Sequence, residues 1–320
     1  MARNGPPVFS GGIGLESWRK HPLVFWIVAV PPSVWLLAFF IIPLTLIWVF
    51  SFGEKRGIVD IAITWTLDNY ARALDPLYLQ IFLKSFWFAG LTTAVCLAAG
   101  FPLAIAITFA SQRWKGILLL LVILPFWTNL LIRTYALIAV LRTRGFMNFT
   151  AEWLWEKGNA VLGFVGLGEY RLLGEQFVPA ELLYNNFAVV FGLVYVHLPF
   201  MVLPLYAALD RMDRSYLEAS LDLGAGQTRT FFSIMVPLAL PGIISGVIIT
   251  FIPALGSFLT PDLLGGTDSQ MIANVVERQF KSANDWPFGA ALSFILMYIT
   301  FFALAVRALT SRGKSAMEAA

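Results

Sequence analysis

The sequence predicts an all-α membrane protein with six transmembrane helices. The chain has 320 residues, of which 58% are hydrophobic and only 13% are charged. A soluble domain has roughly 25% charged residues, so this chain has too little charge to cover a water-exposed surface. Six apolar stretches are each long enough to cross a bilayer core of about 30 Å, which needs roughly 20 residues.

The six predicted spans are nearly free of charge. In chain order they are 23–50, 85–110, 116–141, 187–209, 234–260 and 288–306. The chain has 22 basic and 19 acidic residues, and only Arg133 lies inside a predicted span. In the fifth span, Gly242 and Gly246 form a GxxxG pattern, which predicts that two helices approach closely there. We therefore expect one transmembrane domain over 23–306, with flanking segments 1–22 and 307–320.

The distribution of Lys and Arg predicts the orientation. With six spans, both termini lie on the same side of the membrane. The segments on that side hold 11 Lys and Arg in 65 residues, against 10 in 106 residues on the other side. Loops on the cytoplasmic side carry the excess of basic residues, so we expect both termini in the cytoplasm. The segments predicted to be cytoplasmic are 1–22, 111–115, 210–233 and 307–320.

Several classes of function are disfavoured by what the sequence lacks. One cysteine, Cys96, and two histidines, His21 and His197, leave little material for a metal cluster, and a formal charge of +3 is too small to indicate nucleic acid. The segment Gly313-Lys314-Ser315 lacks the earlier glycine of a phosphate-binding loop, because position 308 is alanine. A proton-driven carrier would bury acids or histidines in its helices. Only His197 is so placed, and we interpret it as a structural hydrogen-bonding group. We expect no catalytic residues, no metal site and no cofactor bound by this chain.

A polar and aromatic interruption in the third span is the candidate solute pathway. A charge at membrane depth must find a carboxylate, carbonyl groups or water, and Arg133 has two interpretations. It either snorkels or pairs with an acid of an outer loop, or it belongs to a pathway. Trp127 either only packs or offers a ring face that attracts ammonium groups. The candidate pathway residues are Trp127, Thr128, Asn129, Arg133 and Tyr135.

The loop 210–233, between the fourth and fifth spans, carries the pattern of a short helix. Ser215 and Glu218 have the spacing of a capping box, which starts a helix. Leu217 and Leu221 share one face of that helix. Gly224 suits the left-handed residue that ends a helix. We therefore predict a short capped helix that projects from the membrane before the chain re-enters as span five.

A wider spacing in this loop resembles a known family. Glu218-Ala219-Ser220 is followed after three residues by Gly224, and after nine more by Ile234, with Pro237 three positions later. This pattern resembles the Glu-Ala-Ala–x3–Gly–x9–Ile-x-Leu-Pro signature of permeases in binding-protein-dependent ABC importers, with Ser220 and Val236 as departures. The resemblance implies the type I ABC importer permease fold, with a coupling helix that docks in a groove of a cytoplasmic ATPase. The residues it implies for coupling are Ser215, Leu217, Glu218, Ala219, Ser220, Leu221, Gly224, Ile234 and Pro237.

The same resemblance implies a set of partners. These are a second permease, two ATPase subunits that use ATP and Mg²⁺, and a solute-binding protein that is periplasmic or lipid-anchored. It also implies a bacterial inner-membrane location. Whether the two permeases form a heterodimer or a homodimer stays open, although the match to a family branch with two non-identical permeases favours the heterodimer.

Three further segments narrow the resemblance to the polyamine branch of the family. They are Leu124–Tyr135, Gly265-Gly266 and Asn284–Gly289. This branch implies import of putrescine, spermidine or a related small cation. The alternatives are the same role for another solute, such as an amino-acid derivative or an oxyanion, and a self-sufficient carrier or channel.

Overall fold

The computed structural model describes residues 22–57, 60–164 and 176–317. The predicted N-terminal segment 1–22 therefore lies almost wholly outside the described residues. Most of the described chain is helical. The α-helices are α1 Pro22–Leu36, α2 Ile42–Phe50, α3 Asp68–Ala73, α4 Pro76–Phe109, α5 Gln112–Ile123, α6 Leu130–Leu141, α7 Phe146–Phe164, α8 Asn186–Asp210, α9 Ser215–Asp222, α10 Gln227–Thr230, α11 Val236–Leu255, α12 Leu259–Leu264, α13 Ile272–Lys281 and α14 Trp286–Met317.

A small β-hairpin corrects the prediction of an all-α chain. Strands β1 (Gly53–Lys55) and β2 (Ile61–Ile63) pair antiparallel, with Glu54 opposite Ala62. They follow α2 directly, in a loop that hydrophobic periodicity does not resolve. Three-residue strands are too short to leave an alternating pattern that stands out in the sequence.

Within the part of the chain that the structure describes, four helical stretches are long and apolar enough to cross a membrane. They are Phe25–Phe50, Pro76–Phe109, Asn186–Asp210 and Gln227–Leu255, and they match the predicted first, second, fourth and fifth spans. The first joins α1 to α2 through a π-helical turn at Leu37–Ile41, and the last includes one at Phe231–Met235. Helix α4 begins well before the predicted residue 85, because Asp75 caps it and Pro76 occupies its first position.

The predicted third span, 116–141, is broken rather than straight. Helix α5 passes into a 3₁₀ turn at Leu124–Trp127, and α6 begins only at Leu130. The two parts, Gln112–Trp127 and Leu130–Val161, are bent by 98°. Pro125 lies in the 3₁₀ turn just before the break, and a proline removes a helical hydrogen bond and bends a helix.

The sixth predicted span, 288–306, lies within α14, which runs on to Met317. Its apolar part, Trp286–Phe302, is shorter than the other candidates. By length and composition, the described residues thus contain four membrane-crossing helices, or five if the broken pair is one span. The predicted count of six is not reached on this criterion.

The centre of the bundle is made by α4, α8 and α11. One buried cluster joins Phe101 and Ile107 of α4, Met201 and Leu205 of α8, and Ala239 of α11. This cluster forms because these helices are apolar on the faces that meet, so the core of the protein lies between them.

Helices α8 and α11 meet at the predicted GxxxG pattern. A Cβ atom at Gly242 would lie 2.5 Å from the Cβ of Ala208, and one at Gly246 would lie 2.7 Å from the sulfur of Met201. At Gly242 the added atom would also lie 2.8 Å from the backbone oxygen of Pro204, so a larger residue there would push the helices apart. The prediction of close packing at this pattern is therefore confirmed.

Candidate functional site

The loop between α8 and α11 begins with a cap that differs from the predicted one. The Asp213 carboxylate accepts a hydrogen bond from the backbone N–H of Ser215 at 3.0 Å. The cap position of α9 is Arg214, which has helical backbone angles and no capping side chain. The predicted capping box of Ser215 and Glu218 is therefore wrong, because Ser215 is already inside the helix and the acid two residues earlier takes its N–H. The hydrogen bond from this backbone N–H is the main reason why the pKa of the Asp213 carboxyl is lowered, and a hydrogen bond from the Ser215 side chain is the second.

The end of α9 is the predicted glycine turn. Gly224 has φ +82°, in the left-handed region, where glycine meets no steric penalty. Its N–H bonds to the Leu221 carbonyl at 2.9 Å, and the N–H of Ala225 bonds to the Ser220 carbonyl at 3.1 Å. These two bonds are the Schellman arrangement, which satisfies the last carbonyl groups of a helix. The prediction of a left-handed Gly224 is confirmed.

Five residues of the sequence signature line one open groove beside α9. The groove has a volume of about 670 Å³. The stretches 216–225 and 229–238 come together in it, because the turn at Gly224 folds the chain back towards the start of the fifth span. The signature residues among its walls are Ala219, Ser220, Gly224, Ile234 and Pro237.

The remaining residues of α9 divide between the bundle and the exterior. Leu217 packs against the central cluster. Leu221, predicted to share its face, is 47% exposed. Ser215 and Glu218 are also exposed. Helix α9 thus packs against the bundle on one side and is exposed on the other.

Polar contacts tie both ends of the loop to neighbouring helices. Before α9, Lys115 and Asp210 form an ion pair at 2.6 Å. The guanidinium of Arg214 lies 5.3 Å from the ring centre of Phe109 at the end of α4. After α9, the hydroxyls of Ser220 and Thr230 are 2.9 Å apart. These contacts tether the loop to α4, to α5 and to the segment that leads into the fifth span.

The second candidate region is the break in the third span. The Asn129 side chain accepts the N–H of Leu131 at 2.8 Å and so caps α6. The hydroxyl of Thr128 donates to the Pro125 carbonyl at 2.7 Å. Both residues were predicted as pathway groups, and here both stabilise the ends of the interrupted helix.

Arg133 is buried and turns back to the break. It is 7% exposed, and its Nη2 donates to the Thr128 carbonyl at 2.9 Å. Its Nε lies 3.4 Å from the Thr128 hydroxyl, and its guanidinium carbon lies 5.6 Å from the ring centre of Phe126. Among the described residues, the hydrogen-bond partners of the Arg133 side chain are thus the carbonyl and hydroxyl oxygens of Thr128 in its own span, and none is an acid of an outer loop.

The two aromatic candidates point away from this interior. Trp127 is 77% exposed and Tyr135 is 58% exposed on the surface of the single chain. Helical residues two positions apart lie on nearly opposite faces, which is why Tyr135 faces outward while Arg133 is buried. Of the five predicted pathway residues, Arg133 is buried and the other four are exposed on the single chain, so they do not form one cluster.

At the opposite end of the bundle, the segment Asn284–Gly289 is fixed by partners that the sequence did not reveal. Asp285 pairs with Arg72 at 2.8 Å, and the Arg72 guanidinium also lies 3.9 Å from the ring centre of Phe288. Lys55 of the hairpin donates to the Ala283 carbonyl at 2.6 Å. These partners are more than 200 residues apart in the chain, so no local pattern could have paired them. The cap of α9 by Asp213, in contrast, could have been found from the sequence, because an acid two residues before a helix is a recognisable capping pattern.

The sequence matches proteins of one transport family. Residues 97–314 match the family model described as binding-protein-dependent transport system inner membrane component. The chain is 38% identical to the spermidine/putrescine transport system permease protein PotB of Salmonella typhimurium (strain SL1344), over 85% of this chain and 88% of that protein. It is 39% identical to the PotB protein of Escherichia coli (strain K12), over 83% of this chain and 90% of that protein.

Among solved structures, the fold is similar to that of a bacterial alginate ABC transporter in complex with an alginate pentasaccharide-bound periplasmic protein. The TM-score is 0.65, with 14% identity over 90% of this chain and 94% of that chain. At this identity the likeness concerns the fold alone. The family match covers about two thirds of the sequence, so the chain belongs to the inner membrane components of binding-protein-dependent transport systems.

Proposed function

We propose that this chain is the permease subunit of an ATP-driven ABC importer that brings polyamines, such as putrescine and spermidine, into the cytoplasm. The observation that carries the permease role is the groove beside α9, where the separated signature residues Ala219, Gly224 and Pro237 meet. The polyamine class is supported by the relatives named for spermidine and putrescine transport, which match over most of their length.

In this proposal α9 is the coupling helix. Its exposed side and the groove receive the ATPase, and its inner side transmits the motion to the spans. Leu217 and the Ser220–Thr230 hydrogen bond join the helix to the bundle. ATP and Mg²⁺ are bound by the separate ATPase subunits, and this chain itself binds no cofactor and catalyses no reaction.

The solute pathway lies along the exposed aromatic face of the broken span. Trp127 and Tyr135 are exposed on the single chain and face a second permease subunit in the complex. An aromatic ring attracts an ammonium group by about 0.5–2 kcal/mol. Such contacts are strong enough to guide a polycation and weak enough to release it.

The broken third span crosses the membrane once, which gives six spans in total with α14 as the last. Its contacts along α8 support this. Lys115 pairs with Asp210 at one end of α8, the rings of Phe126 and Phe200 are 4.8 Å apart in the middle, and Leu141 shares a buried cluster with α8 at its other end. The two parts of the span together thus contact α8 at both of its ends and in its middle.

The orientation and the partners follow from the basic segments and the family. The loop 210–233 and both termini are cytoplasmic, and the transmembrane domain covers 23–306 of a bacterial inner-membrane protein. The assembly contains a second permease, which makes a heterodimer, two ATPases and a periplasmic or lipid-anchored binding protein. The similar alginate transporter was solved with a periplasmic protein, which supports the last of these partners.

The experiment that tests the proposal is uptake into proteoliposomes that contain the complete importer. We expect ATP-dependent uptake of radiolabelled putrescine and spermidine, and ATP hydrolysis stimulated by the polyamine-loaded binding protein. If the importer shows ATP-dependent uptake of an amino-acid derivative or sulfate but none of polyamines, the permease role is supported and the proposed solute is contradicted. Polyamine uptake that needs no ATPase would indicate a carrier or channel instead.

A further inference from the structure

The break in the third span leaves backbone groups without helical partners inside the membrane. The chain leaves the helix at Thr128 and Asn129, whose ψ angles of 145° and 139° are extended. In hydrocarbon there is no water to satisfy such groups, so protein atoms must do it. The Asn129 side chain satisfies one N–H on the far side of the break.

Arg133, which lies in α6 after the break, supplies hydrogen-bond donors to Thr128 at the break. Its Nη2 donates to the Thr128 carbonyl and its Nε approaches the Thr128 hydroxyl. Among the described residues no carboxylate forms an ion pair with it. A guanidinium has donors fixed in one plane and can also lie against an aromatic ring. It therefore joins Thr128 and Phe126, on one side of the break, to α6 on the other.

We infer that Arg133 is a positioning residue that braces the break and does not contact the solute. The brace fixes the angle between α5 and α6, and with it the placement of Trp127 before the break and Tyr135 after it. The burial of Arg133 also keeps its positive charge away from the exposed aromatic face, where it would repel a cationic solute. This inference rests on the proposed pathway for its function, and on the contacts of Thr128 and Phe126 for its geometry.

Three substitutions separate a brace from a charge with a role of its own. Arg133→Met removes every donor at similar length, Arg133→Gln keeps a neutral donor, and Arg133→Lys keeps the charge. The matched control is Arg142→Gln, because Arg142 is an exposed residue at the end of the same helix. If Arg133 is a brace, Gln retains part of the function that Met loses. If its charge acts on the solute, only Lys retains function.

Two measurements on the complete importer in lipid nanodiscs decide between these outcomes. The first is the distance between spin labels on Leu121→Cys and Ile132→Cys, which lie on either side of the break and are exposed, in a Cys96→Ala background. The second is uptake kinetics in proteoliposomes. For Arg133→Met we expect a broadened distance distribution and a maximal rate about tenfold lower, the worth of one hydrogen bond to a charged group, with KM unchanged. We expect Gln to lie between Met and the wild type, and the control to match the wild type.

Unchanged distances in all three variants would overturn the brace. So would a changed KM that Lys restores and Gln does not, since that pattern means direct contact with the solute. If the Met variant does not assemble, the Gln variant and its distance distribution still decide. If the wild type imports no polyamine, the proposed solute fails, while the spin-label distances continue to test the brace.

Discussion

The hydroxyls of Ser220 and Thr230 are 2.9 Å apart and join the loop helix to the segment that leads into the fifth span. Ser220 is one of the two positions at which this chain departs from the permease signature, where alanine stands. The departure therefore adds a hydrogen bond across the groove that alanine could not make.

We predict that breaking this bond weakens coupling without preventing assembly. Ser220→Ala and Thr230→Val each remove one hydroxyl, at a cost of about 0.5–1.5 kcal/mol in local stability. The polyamine imported per ATP hydrolysed should fall in either variant, and the double variant should be no worse than the worse single one. Thr230→Ser keeps the hydroxyl and is the control. Additive losses would mean that the two residues act separately.

Gly224→Val should abolish stimulation of ATP hydrolysis by the loaded binding protein. Valine at φ +82° is strained by about 1–2 kcal/mol, and its side chain projects into the groove. Gly226→Val is a matched control, because neither glycine has an atom within 4 Å of an added Cβ and only Gly224 has a positive φ. Expression and copurification with the ATPase check folding. Near-wild-type transport by Gly224→Val would overturn the coupling role of the loop.

Because Asp213 and not Glu218 caps α9, we expect opposite effects from substituting these two acids. Asp213→Ala should loosen the helix by about 0.5–2 kcal/mol, the usual worth of a cap, and Asp213→Asn should preserve it. Glu218→Ala should leave the helix intact, so any loss of transport reports a contact with the ATPase. Hydrogen exchange of residues 215–222 measures the first effect. Faster hydrogen exchange in the Glu218→Ala variant would contradict this cap and support the capping box of Ser215 and Glu218 instead.

The orientation predicts which cysteines an impermeant thiol reagent can reach. In a Cys96→Ala background, Val178→Cys should react with reagent added outside whole cells, because Val178 is 81% exposed and its loop faces outward. Gln227→Cys should react only after the cells are broken. The reverse pattern would contradict the predicted topology.

Trp127→Leu should lower the uptake rate of polyamines more than Trp127→Phe does. Leucine removes the ring face that attracts an ammonium group, whereas phenylalanine keeps it with a weaker attraction. The effect should grow with the number of ammonium groups, so spermidine should be affected more than putrescine. Initial uptake rates for both solutes provide the test. Equal rates in the wild type and in both variants would mean that Trp127 does not contact the solute.

The sequence predicted those parts of the fold that depend on local composition. The spans at Asn186–Asp210 and Phe25–Phe50 follow from unbroken apolar runs. The left-handed Gly224 and the close approach at Gly242 follow from the special geometry of glycine. In each case the residue or run itself contains the physical cause.

What the sequence missed depends on partners distant in the chain or on competition between near neighbours. The break at Thr128 is stabilised by Arg133 and Asn129, and an apolar average does not show it. The pair of Arg72 and Asp285 joins segments more than 200 residues apart. The cap of α9 was misassigned because Asp213 and Ser215 both suit an N-cap, and only the backbone angles decide between them.

The close contacts at Gly242 and Gly246 have a mechanical consequence for transport. Because Ala208 and Met201 of α8 pack directly against these two glycines of α11, the two helices have little room to slide past each other when the loop that joins them is pushed. They would tilt together as one lever. Helix α8 has 25 residues and is about 37 Å long, so a tilt of about 5° moves its far end by about 3 Å. In the proposed importer, a push on the loop by the ATPase therefore reaches the opposite face of the membrane as a tilt of this helix pair.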